Sequence, residues 1–152
     1  ALRLLPTVAV GSAWTHRALI HAQTILWADT ATDRTLPTVT VVGHRVQLRI
    51  HFEHATWDYG DGSTATTTSP GRAYNAQTDP CDTAQCPDYA GHTYTRTGPA
   101  TITLTVSWHA QFHLDNRGTW TDIGTTPLTG PAATRELQLL QARGVLVRTP
   151  GT

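Results

Sequence analysis

The chain has 152 residues, a length typical of a single domain that can bury its own hydrophobic core. All 11 basic residues are arginines, so no lysine is present for a Schiff base, a phosphate-binding loop or an isopeptide crosslink. The 11 acidic residues balance the arginines, and a net charge of zero excludes strong global attraction to nucleic acid or to an anionic membrane.

The hydropathy and the first residue of the chain bear on its location. No stretch of 18 consecutive apolar residues occurs, so the sequence predicts no membrane-spanning segment. The chain begins with Ala1 rather than Met, as a mature product does after its targeting segment has been removed. We therefore expect an extracellular or cell-surface protein.

The N-terminal extension, residues 1–37, contains the first predicted strand. In residues 18–28 the apolar spacing fits neither a helix nor a strand fully, and we favour one strand. Upstream lies an apolar stretch that we expect to pair with the sheet edge of a neighbouring copy, which makes self-association a hypothesis. Its members are Leu4, Leu5, Val8 and Val10.

Residues 38–42 and 45–53 predict a β-hairpin with its turn at Gly43. In the second segment apolar and polar residues alternate, as they do in a half-buried strand. If this alternation continued, Trp57 would point away from the core. We therefore expect a bulge around residues 54–56 that resets the register.

Residues 101–114 show the clearest alternation in the chain and predict a strand. Fourteen residues at about 3.3 Å each span about 46 Å, so this strand is expected to bend or to extend past the body of the domain. A turn precedes residues 119–123, which predict the second strand of a long hairpin. After a loop at 125–131, residues 134–147 predict a further strand, although their leucine spacing also allows a helix.

Two motifs in the middle of the chain carry a family resemblance. Residues 57–63 read WDYGDGS, and residues 92–95 read HTYT, followed by Gly98 and the strand that begins at Thr101. In this order the motifs resemble those of the PKD domain family, with Tyr59 in place of phenylalanine. The matching positions are Trp57, Asp58, Gly60, Asp61, Gly62, His92 and Tyr94.

The resemblance covers residues 38–108 and implies an all-β fold, an immunoglobulin-like antiparallel β-sandwich. We expect one PKD-like domain over residues 1–152, with strand extensions at 1–37 and 109–152. The chain also resembles short secreted actinobacterial proteins that contain such a domain. From the residues themselves, Asp58 and Asp61 are expected to cap backbone amides of the turn, which makes the motif structural.

The region 58–88 is acidic, with five aspartates against Arg72 alone. Cys81 and Cys86 lie in it, and an extracellular location favours a disulfide between them over two free thiols. Two cysteines are too few for a structural zinc site. Three aspartates nearby offer oxygen ligands for calcium, although solvated turn residues are the commoner meaning of such a cluster. They are Asp79, Asp82 and Asp88.

Neither the histidines nor the serines form a recognisable catalytic pattern. His51 and His54 are three residues apart in an alternating strand, which would place them on opposite faces, and no serine lies in a nucleophile elbow. His109 and His113 share a face but lie about 13 Å apart along the strand. We therefore expect no catalytic residue, no resident metal and no cofactor.

The five tryptophans fall into two groups. Trp57 and Trp108 occupy inward positions of predicted strands and are expected in the core. Trp14, Trp27 and Trp120 are less constrained, and one planar cluster of these three would indicate a carbohydrate-binding module.

The sequence thus predicts a non-catalytic extracellular module that acts by protein–protein contact, plausible as a subunit of a cell-surface assembly or filament. A carbohydrate-binding module and a monomeric spacer domain are the alternatives. Nucleic acid is not expected as a partner.

Overall fold

The computed structural model describes residues 5–115, 117–124 and 127–142, and every regular element in these ranges is a β-strand. No helix there has the length and hydropathy that a membrane crossing requires. The strands in chain order are β1 Ala9–Ser12, β2 Arg17–Leu19, β3 Gln23–Asp29, β4 Asp33–Thr35, β5 Val39–Val41, β6 His44–Asp58, β7 Thr64–Thr67, β8 Gly91–Thr93, β9 Gly98–Leu114, β10 Arg117–Asp122, β11 Leu128–Thr129 and β12 Ala133–Leu140.

The strands form two sheets that pack face to face, so the predicted all-β sandwich is confirmed. The small sheet has the order β1-β3-β8. The large sheet has the order β2-β12-β9-β6-β4, with β5 and β7 also paired to β6, and β10 and β11 also paired to β9. One pair departs from the antiparallel prediction, because β12 and β2 run parallel, with Gln138 opposite Arg17.

Strands β6 and β9 form the centre of the large sheet, and their register contains the predicted bulge. Val46 lies opposite Leu114 at one end and Asp58 opposite Thr103 at the other, with a register shift between Phe52 and His54. The extra residue reverses the alternation, so both Ile50 before it and Trp57 after it point into the core.

Most predicted strands are present, and three boundaries differ. The single strand expected at 18–28 is two strands, β2 and β3, because the chain turns at His21, which has a positive φ of 65°. The loop at 125–131 includes the two-residue strand β11, which pairs with β9 at Trp108. The strand expected at 134–147 is β12, which ends at Leu140, and residues 143–147 lie outside the described ranges.

The core lies between the two sheets and is centred on β9. Ile102, Leu104, Val106 and Trp108 all have 0% exposure, since alternate residues of β9 face the small sheet. The predicted burial of Trp57 and Trp108 is thus confirmed, with Trp57 4% exposed.

The N-terminal extension belongs to its own sandwich. Strand β1 pairs antiparallel with β3, and Val10 is 2% exposed within the core. Leu5 and Val8 pack against the same core, while Leu4 lies outside the described residues. The apolar side chains of β1 thus pack into their own sandwich, while β1 forms one edge of the small sheet, so pairing of this edge with a neighbouring copy stays a prediction.

Candidate functional site

Strands β6 and β9 continue together past the end of the core. Ile50 and Ala110 are the last core residues on this path, 1% and 4% exposed, and the next apolar residues outward, Leu48 and Phe112, are not part of the core cluster. Beyond this level β5 pairs with β6, and β10 pairs with β9, so four strands form a single layer. We call this layer the ribbon and define it as residues 39–50, 110–115 and 117–123.

One face of the ribbon is apolar, because the alternation that fills the core continues along β6 and β9. Val39 lies opposite Val46, which in turn lies opposite Leu114, and Leu48 lies opposite Phe112. Exposure of the outer members is high, at 43% for Val39 and 44% for Leu114. This apolar face consists of Val39, Val41, Val46, Leu48, Phe112, Leu114 and Ile123.

Among the described strands, none outside the large sheet is in substantial contact with β5 or β10, and the apolar face is exposed at its outer members while Val46, Leu48 and Phe112 are half-buried. The elements in substantial contact with β5 and β10 are their sheet neighbours β6 and β9, respectively. An apolar sheet face ordinarily packs against another layer, because exposed apolar surface is unfavourable in water. The ribbon is the place in the described structure where this arrangement is incomplete.

The opposite face of the ribbon is polar and closely hydrogen-bonded. Arg49 Nε donates to Gln111 Oε1 at 2.8 Å, and Gln111 Nε2 donates to Asp122 Oδ1 at 2.9 Å. His109 Nε2 lies 2.7 Å from the same carboxylate oxygen. Hydrogen bonds from Gln111, first, and from His109 lower the pKa of Asp122. This network joins three strands, with Arg49 on β6, Gln111 on β9 and Asp122 on β10.

Trp120 lies across the polar face. Its ring stacks on His113 of β9, with ring centres 4.0 Å apart and planes 22° apart. The guanidinium carbon of Arg49 on β6 lies 4.2 Å from the Trp120 ring centre. Because β10 and β6 border β9 on opposite sides, the indole reaches over β9 to make both contacts. The sequence left the position of Trp120 open.

The motif that carries the family resemblance forms a cluster at the other end of the sandwich. Asp58 Oδ1 accepts from the Gly60 amide at 3.0 Å, and Asp61 Oδ1 accepts from the Ser63 amide at 3.0 Å, so both capping predictions are confirmed. A side chain at Gly60 would meet the Thr101 carbonyl oxygen at 2.4 Å, and the φ of Gly60 is +81°. Gly62 has a φ of +90°.

Histidine and tyrosine side chains complete the motif cluster. The rings of Tyr59 and His92 stack with their centres 4.1 Å apart, and His92 Nε2 lies 2.7 Å from Asp61 Oδ2. Tyr94 is 1% exposed, and its hydroxyl donates to the Tyr59 carbonyl at 2.7 Å. Trp57 stacks against Tyr59 at 6.1 Å. These contacts join the turn after β6 to β8 and the segment that follows it.

Three pKa values in the cluster depart from their ordinary range, and the pKa of Tyr59 is raised by burial, first, and by the nearby charge of Asp61. Burial, first, and the nearby charge of Asp61 raise the pKa of Tyr94. Burial acts to raise the pKa of Asp61, but hydrogen bonds from His92 and from the Ser63 amide outweigh it, and the pKa of Asp61 is lowered. The cluster thus holds a neutral phenol beside an ionised carboxylate, both in structural hydrogen bonds.

A cavity of about 550 Å³ opens beside the motif cluster. Trp57, Tyr59 and Tyr89 line it, but each is no more than 7% exposed. The faces of the Trp57 and Tyr59 rings already contact other rings of the cluster, so these aromatic side chains offer a ligand little surface.

The acidic region contains the predicted disulfide, which joins Cys81 to Cys86 with a Cα–Cα distance of 5.8 Å. The aspartates proposed for calcium do not converge, since no group of three His, Cys, Asp or Glu residues placed to hold a metal ion occurs in the described ranges. Asp79 instead forms an ion pair with Arg72. Asp82 and Asp88 therefore do not complete a calcium site with Asp79.

One expectation about surface residues, the placement of His51 and His54 on opposite faces, is corrected. The bulge places His54 opposite Ser107, while His51 lies opposite His109. Ser107 and His109 are two residues apart on β9, so their side chains lie on the same face of the sheet. His51 and His54 therefore share a face. Of the three unassigned tryptophans, Trp14 is 51% exposed and Trp27 packs beside Gly11, so they form no planar cluster with Trp120.

The ribbon faces were only partly visible in the sequence. The alternation at 45–53 and 101–114 identified which side chains share a face, but it did not indicate that the core cluster ends at Ile50 and Ala110. A scan against protein-family models and a search of curated proteins each found no match to this chain.

Proposed function

We propose that this chain is a non-catalytic module, extracellular or on the cell surface, that acts by protein–protein contact as a subunit of an assembly of copies. The observation that carries the proposal is the uncovered apolar face of the ribbon. Exposed apolar patches of this kind mark interaction surfaces in soluble proteins. The PKD resemblance agrees, because it implies an interaction or spacer role rather than catalysis.

A second copy suits this face because its seven apolar members carry no charge, and the polar residues that share the face are His44, opposite Val41, and Thr121, opposite Phe112. Two such faces can meet without bringing like charges together, and the chain has a net charge of zero, so long-range repulsion between copies is weak. Sheets pack face to face at about 10 Å, with the side chains of both layers interdigitating. The contact would supply each ribbon with a second layer that the described strands do not provide.

The size of the face sets the expected strength. Within the ribbon, strands β5, β6, β9 and β10 contribute three, seven, five and six residues. At about 3.3 Å per residue and about 4.8 Å between strands, they give a footprint of roughly 330 Å² on each copy. Two such faces bury about 700 Å² in total, well below the roughly 1,200–2,000 Å² of stable specific interfaces. We therefore expect weak association, with a dissociation constant in the range of tens to hundreds of micromolar.

Analytical ultracentrifugation from about 10 µM to 1 mM tests the proposal. The parent chain is expected to self-associate, and Val41→Asp, which places a charge on the apolar face at a 51% exposed position, is expected to stay monomeric. Val42→Asp is the matched control, because Val42 is the adjacent valine, lies at the hairpin turn and is 92% exposed.

A parent chain that is monomeric at 1 mM would contradict the proposal and favour the monomeric spacer. Equal effects of Val41→Asp and Val42→Asp would exclude the apolar face as the contact surface.

A further inference from the structure

We propose that His51 and His109 together bind a divalent transition-metal ion such as Zn²⁺ on the polar face of the large sheet. Imidazole nitrogen is a preferred ligand of this class of ion. In the described ranges no three His, Cys, Asp or Glu residues are placed to hold a metal ion, so the chain supplies two ligands and water completes the coordination shell. The site lies on the face opposite the apolar face of the ribbon and does not rest on the proposed assembly.

The large sheet brings the two imidazoles together from positions far apart in the chain. His51 on β6 lies directly opposite His109 on β9. Their neighbours Phe52 and Trp108 meet edge-to-face on the core side of the sheet. Because side chains alternate along a strand, both histidines point to the other face. Each histidine is half-buried, so an ion from solvent can reach the pair.

The spacing of the two rings fits one shared ion. The ring centres of His51 and His109 lie 5.1 Å apart, with their planes 41° apart. An ion about 2.1 Å from a ring nitrogen lies about 3.2 Å from the ring centre, so two imidazoles at the tetrahedral angle have centres about 5.2 Å apart. A right angle between the two ligands would bring the ring centres to about 4.5 Å. The two strands therefore hold the rings at the separation that tetrahedral Zn²⁺ requires.

Asp122 leaves one nitrogen of His109 for the ion. His109 Nε2 lies 2.7 Å from Asp122 Oδ1. A carboxylate only accepts hydrogen bonds, so Nε2 carries the hydrogen and Nδ1 of the neutral ring holds the lone pair. Metal-binding histidines commonly donate from their other nitrogen to a carboxylate, which fixes the tautomer and strengthens the ligand. In the described part of the chain, His109 Nδ1 and both ring nitrogens of His51 have no hydrogen-bond partner.

The charges beside the pair favour a cation. Asp33 on β4 lies directly opposite His51, so its side chain is on the same face, and Asp122 borders His109 from β10. Carboxylates thus flank the two histidines on both sides. Arg49 lies two residues before His51 on this face, but its side chain is directed to Gln111 and to the Trp120 ring. A divalent ion between the two carboxylates gains favourable electrostatic energy.

Isothermal titration of the full chain with Zn²⁺ at pH 7 tests the site. One ion is expected to bind with a dissociation constant on the order of 0.1 mM. Mg²⁺ in tenfold excess is expected not to displace it, because Mg²⁺ requires oxygen ligands. His51→Ala and His109→Ala should each weaken binding about tenfold or more, since each leaves a single imidazole. His54→Ala is the matched control, because it removes a half-buried histidine of the same strand and face that lies opposite Ser107, and it should leave the affinity unchanged.

A second measurement covers the case in which a substitution unfolds the chain. In the unsubstituted protein, the ring nitrogen resonances of His51 and His109, assigned by through-bond correlation, should shift on addition of Zn²⁺, while those of His54 should not. In His109 the large shift is expected at Nδ1.

Five outcomes would each overturn the proposal. They are no binding at 1 mM Zn²⁺, an unchanged affinity of His51→Ala or His109→Ala, equal weakening in His54→Ala, displacement by Mg²⁺, and a large shift at His109 Nε2 in place of Nδ1. None of these outcomes depends on whether copies of the chain associate through the apolar face, so failure of this proposal and failure of the assembly are distinguishable.

Discussion

Replacing Tyr94 by phenylalanine isolates one buried hydrogen bond of the motif cluster. The Tyr94 hydroxyl donates to the Tyr59 carbonyl at 2.7 Å, and both residues are buried, with exposures of 1% and 7%. The substitution keeps the ring that packs edge-on against His92 and removes only the donor. The Tyr59 carbonyl oxygen then loses this donor in a place that water scarcely reaches.

The expected loss in the free energy of unfolding is about 2 kcal/mol, because a buried group left unsatisfied costs about 1–3 kcal/mol. For a chain of this length, that loss lowers the midpoint of thermal unfolding by about 4–8 °C. Urea unfolding followed by tryptophan fluorescence measures it, with the midpoint lowered and the slope unchanged. Tyr74→Phe is the control, because the Tyr74 hydroxyl accepts only a long bond, 3.3 Å from the Cys81 amide.

The pH dependence provides a second check on Tyr94. Its pKa in the folded state is raised above the ordinary value of 10.0, chiefly by burial, so the folded chain keeps the phenol protonated where the unfolded chain ionises. This contribution to stability is complete below pH 10 and is lost as the pH rises above it. The stability difference between the parent and Tyr94→Phe should therefore narrow above pH 10. A loss below 0.5 kcal/mol at pH 7, or an equal loss in Tyr74→Phe, would refute the reasoning.

Three further substitutions have defined outcomes in urea unfolding. Val42 and Gly43 have φ values of 49° and 79°, a left-handed turn conformation that asparagine adopts more easily than valine. Val42→Asn should therefore raise the free energy of unfolding by about 1 kcal/mol, and a decrease would count against backbone strain at Val42. Asp61→Asn should destabilise the chain at pH 7. Because the pKa of Asp61 is lowered, its contribution to the free energy of unfolding is present above the ordinary pKa of 3.8 and is lost as the pH falls through the pKa of the folded state. The stability difference between the parent and Asp61→Asn should therefore narrow at acid pH, and a difference that stays constant would contradict this reasoning. Replacing Cys81 and Cys86 by serine should cost about 2 kcal/mol by loop entropy and leave one cooperative transition, and loss of that transition would show that the disulfide holds the fold.

The strands and their buried faces were predictable because alternation is a local property. A strand places alternate side chains on opposite faces, so residues 101–114 identified the face that carries Trp108 without any knowledge of its neighbours. The bulge near His54 was predictable for the same reason, since Trp57 fits the core only if the alternation is reset there. The turn motif and the two cysteines, five positions apart, also needed only local chemistry.

Whether another layer packs on each face of the large sheet depends on the tertiary structure alone. Leu48 and Ile50 point to the same side of β6, yet Ile50 is 1% exposed within the core, whereas Leu48 is only half-buried and is not part of the core cluster. Likewise, Trp120 joins Arg49 and His113 only because β10 and β6 lie on either side of β9. The sequence by itself therefore determined an all-β chain with its inward residues and its structural turn. Which sheet faces meet another layer depends on contacts between strands far apart in the chain, and only the tertiary structure showed that no described strand of the small sheet is in substantial contact with β5 or β10.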